Sequence, residues 1–85
     1  MGYQLLIEKK AKKQLSSISE PYFTRIVDAI EKLSFEPRPM GSRKLIGRDG
    51  YRLRVGDYRI IYSIKDKELV IFVLEIGHRK DIYKG

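Results

Sequence analysis

The feature that most constrains the fold is a pair of alternating segments on either side of Gly56 and Asp57. Residues 51–55 and 58–64 place apolar or aromatic side chains at every second position, and Arg52, Arg54 and Arg59 are among the residues between them. This period of two is typical of strands with one buried face. A two-residue Gly-Asp connection joins antiparallel strands in a fixed register. The sequence therefore predicts a β-hairpin in which Arg54 lies opposite Arg59.

The other segments complete an α+β domain. Residues 69–76 are apolar at seven of eight positions, which is typical of a central strand buried on both faces. Residues 3–7 suit a short strand, and apolar stripes of helical period follow over 7–18 and 23–33, with Ser19 as the expected cap of the second helix. Two prolines and three glycines make 37–50 an expected loop. The predicted order is β-α-α-β-β-β, with two N-terminal helices packed on one face of an antiparallel sheet.

Length and composition limit the kind of domain, active site and partner that this chain can have. A chain of 85 residues buries only about 60% of its unfolded surface, so we expect one domain over residues 1–85 without a deep enclosed pocket. The lack of cysteine excludes disulfides and thiol chemistry, and a single histidine argues against a multi-histidine zinc site. No secretory signal or membrane-spanning run is visible, so we expect a cytoplasmic protein. The net charge of +7 favours a polyanionic partner.

The positive charge is concentrated in the middle of the chain. From Arg38 to Arg59, seven Lys or Arg residues stand against two Asp residues. The hairpin register puts Arg52, Arg54 and Arg59 on one face, where like charges in opposed positions destabilise a sheet by up to about 1 kcal/mol. Guanidinium groups match phosphate oxygens, so the pattern predicts an anion ligand on this face. The simpler interpretation is that these arginines only keep an exposed sheet soluble.

Two further groups of polar residues flank the hairpin. The first predicted helix carries four lysines, Lys9, Lys10, Lys12 and Lys13. A solvated helix surface explains them without any function. His78, Arg79 and Tyr83 follow the central strand, and we expect them to reach the face of the arginines. A lone histidine is more often a surface residue than a catalytic one, and a terminal tyrosine packs more often than it reacts.

Residues 51–62 (YRLRVGDYRIIY), the strand LVIFVLEIG and the ending HRKDIY of 78–83 resemble the RelE toxins of the RelE/ParE superfamily. The element order also agrees. The resemblance implies the toxin of a type II toxin–antitoxin pair, a ribosome-dependent endoribonuclease, or mRNA interferase, that cleaves mRNA in the ribosomal A site and so inhibits translation. It implies a cognate acidic antitoxin similar to RelB, with the ribosome and mRNA as further partners. It implies no metal and no cofactor.

In RelE proteins, basic residues and a tyrosine near the chain end surround the scissile phosphate. The resemblance puts this site at Arg52, Arg54, Arg59, Arg79 and Tyr83. The best-studied members carry lysines at the positions of Arg52 and Arg54, so a possible lysine base is replaced here by groups that keep their proton. His78 then joins Tyr83 as a candidate for proton transfer.

Metal-free RNA cleavage uses the ribose 2′-OH as nucleophile and yields a 2′,3′-cyclic phosphate and a 5′-OH. The protein must accept the 2′-OH proton, stabilise the phosphorane and protonate the leaving 5′-oxygen. Arg54, Arg59 and Arg79 suit the second task. The remaining basic residues become candidates for contacts with ribosomal RNA phosphates: Lys9, Lys10, Lys12, Lys13, Lys44 and Arg48.

Two other functions are compatible with the sequence. A ParE-like inhibitor of DNA gyrase would use the same scaffold without ribonuclease chemistry, and a non-catalytic basic RNA-binding protein would need only the charge. A translation assay beside a DNA supercoiling assay separates the first alternative. The second alternative is tested by charge-preserving changes at Tyr83 or His78, because a loss of toxicity would argue against a protein that needs only the charge.

Overall fold

A computed structural model describes residues 2–78 of the chain. Its elements are β1 (Gln4–Ile7), α1 (Lys9–Ser16), α2 (Tyr22–Leu33), β2 (Ser42–Lys44), β3 (Tyr51–Val55), β4 (Tyr58–Lys65) and β5 (Val70–His78). The strands form one sheet in the order β1-β5-β4-β3-β2. The predicted α+β class and the order of helices and strands are confirmed. Two details differ, because β1 runs parallel to β5 and the expected loop over 37–50 contains the short strand β2.

Both helices pack on one face of the sheet, as predicted. The stripe of α2 buries Ile26, Ile30 and Leu33, whereas α1 buries only Ala11. These side chains join the inward residues of β3, β4 and β5 in one apolar core. The fully buried Tyr62 is the largest of them, and its hydroxyl donates to the carbonyl oxygen of Pro37 at 2.7 Å. Burial raises the pKa of this phenol.

The start of α2 differs from the expectation in its capping group. The Ser19 side chain makes no cap hydrogen bond there. Instead the carboxylate of Glu20 accepts the backbone N–H of Thr24 at 3.1 Å and its hydroxyl at 2.7 Å. A carboxylate satisfies an unpaired N–H and also complements the positive end of the helix dipole.

The β3–β4 hairpin has the predicted register. Arg54 pairs with Arg59, and the neighbouring pair on the helix side is Leu53 with Ile60. Gly56 takes a φ of +61°, and a Cβ added there would meet the Tyr22 ring at 2.8 Å. Glycine is therefore required at this turn for its backbone conformation and for the close approach of α2.

A β-bulge interrupts the pairing of β4 with β5. Tyr62 pairs with Val73, but Ile61 pairs with Glu75, so Leu74 is an additional residue on β5. An extra residue shifts the alternation of side chains by one position. The helix-facing residues of β5 are therefore odd-numbered up to Val73 and even-numbered from Ile76 onward.

The outer edge of β5 is covered by two different elements. β1 pairs with residues 70–73 only. Beyond them α1 lies beside the strand, and the side-chain oxygen of Gln14 accepts the backbone N–H of Ile76 at 2.8 Å. This contact satisfies a strand edge that would otherwise lack a partner. Across residues 2–78, the helices are too short and too polar to cross a membrane.

Candidate nucleic-acid interface

Within residues 2–78, the face of the sheet away from the helices carries four arginines, one more than the hairpin pattern predicted. Arg43 on β2 pairs directly with Arg52, and Arg54 pairs directly with Arg59. Directly opposed residues of antiparallel strands point to the same side, and the intervening Leu53 lies in the core. The surface formed by Arg43, Arg52, Arg54 and Arg59 is termed the arginine face.

The four side chains differ in exposure. Arg43 and Arg54 are exposed and Arg52 is half-buried, whereas Arg59 is only 7% exposed. Arg59 donates from Nη1 to the carbonyl oxygen of Tyr58 at 3.2 Å. Two like-charged pairs on one small sheet oppose its stability. Their grouping suits an anion with several oxygens, because each guanidinium offers a planar fork of donors.

The arginine face is organised in two rows that cross the strands. The first row joins Arg43 and Arg52 to Ile61 and Glu75. The second row joins Arg54 and Arg59 to Gly77, which has no side chain. At the β2 end, a concave region of about 470 Å³ is lined by Arg43, Lys44, Leu45, Ile46 and Arg52.

The structure does not bring His78 to the arginine face. His78 pairs with Tyr58 on the helix side of the sheet, while its neighbour Gly77 pairs with Arg59. Its ring meets the Tyr58 ring edge-on, with centroids 5.5 Å apart, and Tyr58 in turn contacts Tyr22. The expectation that His78 shares the face of the arginines is therefore wrong, and the cause is the β5 bulge. Arg79 and Tyr83, the other two predicted residues of this segment, lie outside the described residues.

The residues predicted to contact ribosomal RNA lie on elements at the two edges of the sheet. Lys9, Lys12 and Lys13 are exposed on α1, at the β5 edge. Lys10 is also on α1, where its Nζ lies 3.0 Å from Oε1 of Glu75. Lys44 is on β2 and Arg48 is in the following loop, both exposed, at the opposite edge.

Arg38 belongs to a different network, although the sequence grouped it with the central basic cluster. Its guanidinium donates to Oδ2 of Asp66 at 2.9 Å and to the hydroxyl of Tyr51 at 3.0 Å. The Tyr3 hydroxyl donates to Oδ1 of the same carboxylate at 2.7 Å. The Arg38 guanidinium, with help from Tyr3, lowers the pKa of Asp66, and the Asp66 carboxylate raises the pKa values of Tyr3 and Arg38. This network links the loop after α2 to the turn before β5.

Sequence reasoning missed Arg43 and Glu75 as members of the face. Arg43 stands in a polar segment without alternation, and Glu75 reaches the face only through the bulge. Within the described range, no three Asp, Glu or His side chains lie close enough together to hold a metal ion.

The chain is similar to toxins that carry the names ParE, RelG and RelE. Residues 5–83 match the family model described as the ParE toxin of a type II toxin–antitoxin system. The chain is 31% identical to toxin RelG of Mycobacterium tuberculosis, with 99% of each chain covered. It is 30% identical to the mRNA interferase toxin RelE of Escherichia coli, over 94% of this chain and 86% of that protein. The archaeal RelE–RelB complex of Pyrococcus horikoshii contains a similar chain, with 36% identity, a TM-score of 0.82, and 93% of this chain and 97% of that chain covered.

Proposed function

Because the chain belongs to the RelE/ParE superfamily as a RelE-family toxin of a type II toxin–antitoxin system, we propose that it is an mRNA interferase. In this proposal it cleaves mRNA in the ribosomal A site by attack of the ribose 2′-OH and so stops translation. The observation that carries the proposal is the arginine face, where two directly opposed arginine pairs gather on one surface. The similarity to a protein named mRNA interferase supports it.

The arginines bind the scissile phosphate and stabilise the phosphorane. Arg54 is exposed and lies directly opposite Arg59, so Arg54 is proposed to contact the phosphate first and Arg59 to support it from a largely buried position. Arg52 lies in the adjacent row, and Arg79 is assigned to the same task by the family resemblance. A donor that binds the transition state better than the ground state contributes about 10²-fold to 10³-fold in rate.

Proton transfer requires other groups, because arginine keeps its proton at all physiological pH values. Tyr83 is proposed as the group that protonates the leaving 5′-oxygen or stacks on an mRNA base. His78 is the other candidate from the sequence. Its position beside Tyr58 requires a movement of the strand end before it reaches a phosphate on the arginine face.

The ribosome supplies what so small a domain lacks. A chain of 85 residues is too small to orient a flexible RNA by itself, so positioning is proposed to come from the complex. The exposed basic residues at both edges of the sheet are proposed contacts to ribosomal RNA: Lys9, Lys12, Lys13, Lys44 and Arg48. Lys10 is a further candidate, although it also forms an ion pair with Glu75. Such contacts give affinity without sequence selectivity.

The proposed inhibitor is an acidic antitoxin similar to RelB. Phe35, Met40 and Ile46 are 80%, 100% and 99% exposed, which leaves apolar surface for a partner helix. The central basic cluster suits acidic side chains. Dissociation of this complex is expected to quicken as salt rises, because exposed charges are screened. A dissociation rate that is equal at low and high salt would contradict the electrostatic part of this interaction.

A ParE-like gyrase inhibitor is the second candidate, and the description of the matching family model favours it. One experiment separates the two functions. Purified protein is added to ribosomes programmed with a defined mRNA, and in parallel to a gyrase supercoiling reaction. We expect cleavage within the A-site codon, with a 2′,3′-cyclic phosphate and a 5′-OH at the new ends, and normal supercoiling. Intact mRNA together with inhibited supercoiling would overturn the proposal.

A further inference from the structure

We propose that Glu75 is the proton acceptor for the attacking 2′-OH. The inference rests on the proposed function and names the base that the arginines cannot provide. Among the strand residues that share the arginine face, Glu75 is the one carboxylate in the part of the chain that the structure describes. Its side chain is 26% exposed, so it is open to a ligand yet held by its surroundings.

The β-bulge is the first observation behind this assignment. Without Leu74 as an extra residue, the alternation that points Ile71 and Val73 to the core would point Glu75 there as well. The bulge turns Glu75 to the arginine face and gives the core position to Ile76. Bulges occur often beside active sites, where they redirect one side chain. Burial of an uncompensated carboxylate is thereby avoided, and a base is presented beside the phosphate-binding groups.

The second observation is that Glu75 lies in the row next to the one that contains Arg54 and Arg59. Glu75 lies opposite Ile61, and Gly77, two residues further on, lies opposite Arg59. From the spacing of strands and residues, the Cα atoms of Glu75 and Arg59 are about 8 Å apart. In this proposal a phosphate held by Arg54 and Arg59 brings its neighbouring ribose toward the carboxylate.

Lys10 fixes the carboxylate in this position. Its Nζ lies 3.0 Å from Oε1 and reaches Glu75 from α1, around the edge of β5. Lys10 engages Oε1, and Oε2 is the proposed proton acceptor. Lys10 is therefore a positioning residue, and the ion pair also offsets the repulsion between Glu75 and an incoming phosphate.

Glu75 takes the proton of the 2′-OH while the 2′-oxygen forms a bond to phosphorus. The bond from phosphorus to the 5′-oxygen breaks, and an acid, with Tyr83 as the candidate, gives that oxygen a proton. The products are a 2′,3′-cyclic phosphate and a 5′-OH, and protonated Glu75 returns its proton to water.

The test measures single-turnover cleavage on saturating programmed ribosomes, together with the ribosome affinity and thermal midpoint of each variant. Glu75→Gln keeps the size of the side chain and removes the base. We expect its cleavage rate to fall by about 10²-fold or more, while affinity and thermal midpoint stay close to those of the unaltered protein. Glu75→Asp, which keeps a carboxylate on a shorter stem, is expected to recover part of the rate.

The matched control is Lys10→Gln, which breaks the same ion pair but keeps the carboxylate. Its loss of cleavage rate is expected to be much smaller than that of Glu75→Gln. Equal losses in both variants would show that the ion pair only attaches α1 to β5, and would overturn the inference. Should Glu75→Gln fail to fold, the double variant Lys10→Gln/Glu75→Gln replaces the ion pair with two amides that can bond to each other. Cleavage at the normal rate by this double variant would also overturn the inference that Glu75 is the base.

If the unaltered protein cleaves mRNA and Glu75→Gln cleaves it equally fast, the inference is wrong and the proposed function stands. If the unaltered protein leaves mRNA intact on ribosomes, both are wrong. A loss in His78→Gln that equals or exceeds the loss in Glu75→Gln would assign the base to His78 instead.

Discussion

The two faces of the sheet are built from the same strands but have opposite effects on the stability of the fold. On the helix side, opposed residues such as Leu53 and Ile60 are apolar and buried together. One residue further along the hairpin, Arg54 and Arg59 oppose each other with equal charge. The first pair stabilises the fold and the second opposes it. A surface that costs stability within the domain indicates selection for a ligand outside it, and the ligand proposed here is a polyanion.

The largest difference between the faces is expected in stability. Ile60→Ala removes a fully buried side chain from the core, so the free energy of unfolding should fall by about 2–5 kcal/mol. For a domain of this size the thermal midpoint then drops by about 10 °C or more. Arg54→Ala, at an exposed position, should change the free energy of unfolding by less than about 1 kcal/mol. Equal losses in urea denaturation of the two variants would break the distinction between the faces.

A smaller effect of opposite sign is expected for Arg43→Glu. The substitution turns the opposed pair of Arg43 and Arg52 into an attractive one, which should raise the free energy of unfolding by about 0.2–1 kcal/mol. Cleavage of mRNA on ribosomes should weaken in the same variant, because a carboxylate repels phosphate. A variant that is less stable than the original protein would indicate that Arg43 contributes to packing rather than to ligand binding.

The hairpin and β5 show how far the sequence alone predicts the structure. The register of the hairpin follows from a two-residue turn, so the positions of Arg52, Arg54 and Arg59 were predictable. In β5 nearly every residue is apolar, and no pattern marks Leu74 as the extra one. The bulge therefore reverses the expected side of His78 and brings in Glu75.

The strand β2 was unpredictable for a related reason. Ser42–Lys44 contains no apolar residue, and the prolines and glycines around it indicate a loop. These residues form a strand because the backbone of β3 has a free edge, not because a side-chain pattern favours it. The fourth arginine of the face depends on this backbone pairing alone.

The smallest expected effect concerns pH and lies away from both faces. The pKa of Asp66 is lowered in the folded protein, chiefly by Arg38 and then by Tyr3. Its contribution to stability is therefore complete above the ordinary carboxyl pKa and is lost as pH falls through the lowered one. Asp66→Asn should be less stable than the original protein at neutral pH, and this difference should shrink below about pH 4. Thermal melts from pH 7 to pH 3 measure this difference, with Asp28→Asn as an exposed control. A difference in stability that does not change with pH would contradict the lowered pKa of Asp66.

The most direct measurement compares two exposed arginines that lose the same charge from different elements, Arg54 from β3 and Arg25 from α2. Arg54 is exposed on the arginine face, and Arg25 is exposed on α2, over the Tyr22 ring. Single-turnover cleavage of mRNA on programmed ribosomes should fall by about 10²-fold for Arg54→Gln and stay within about threefold for Arg25→Gln. Equal cleavage rates in the two variants would contradict the claim that the arginine face is the surface that cleaves RNA.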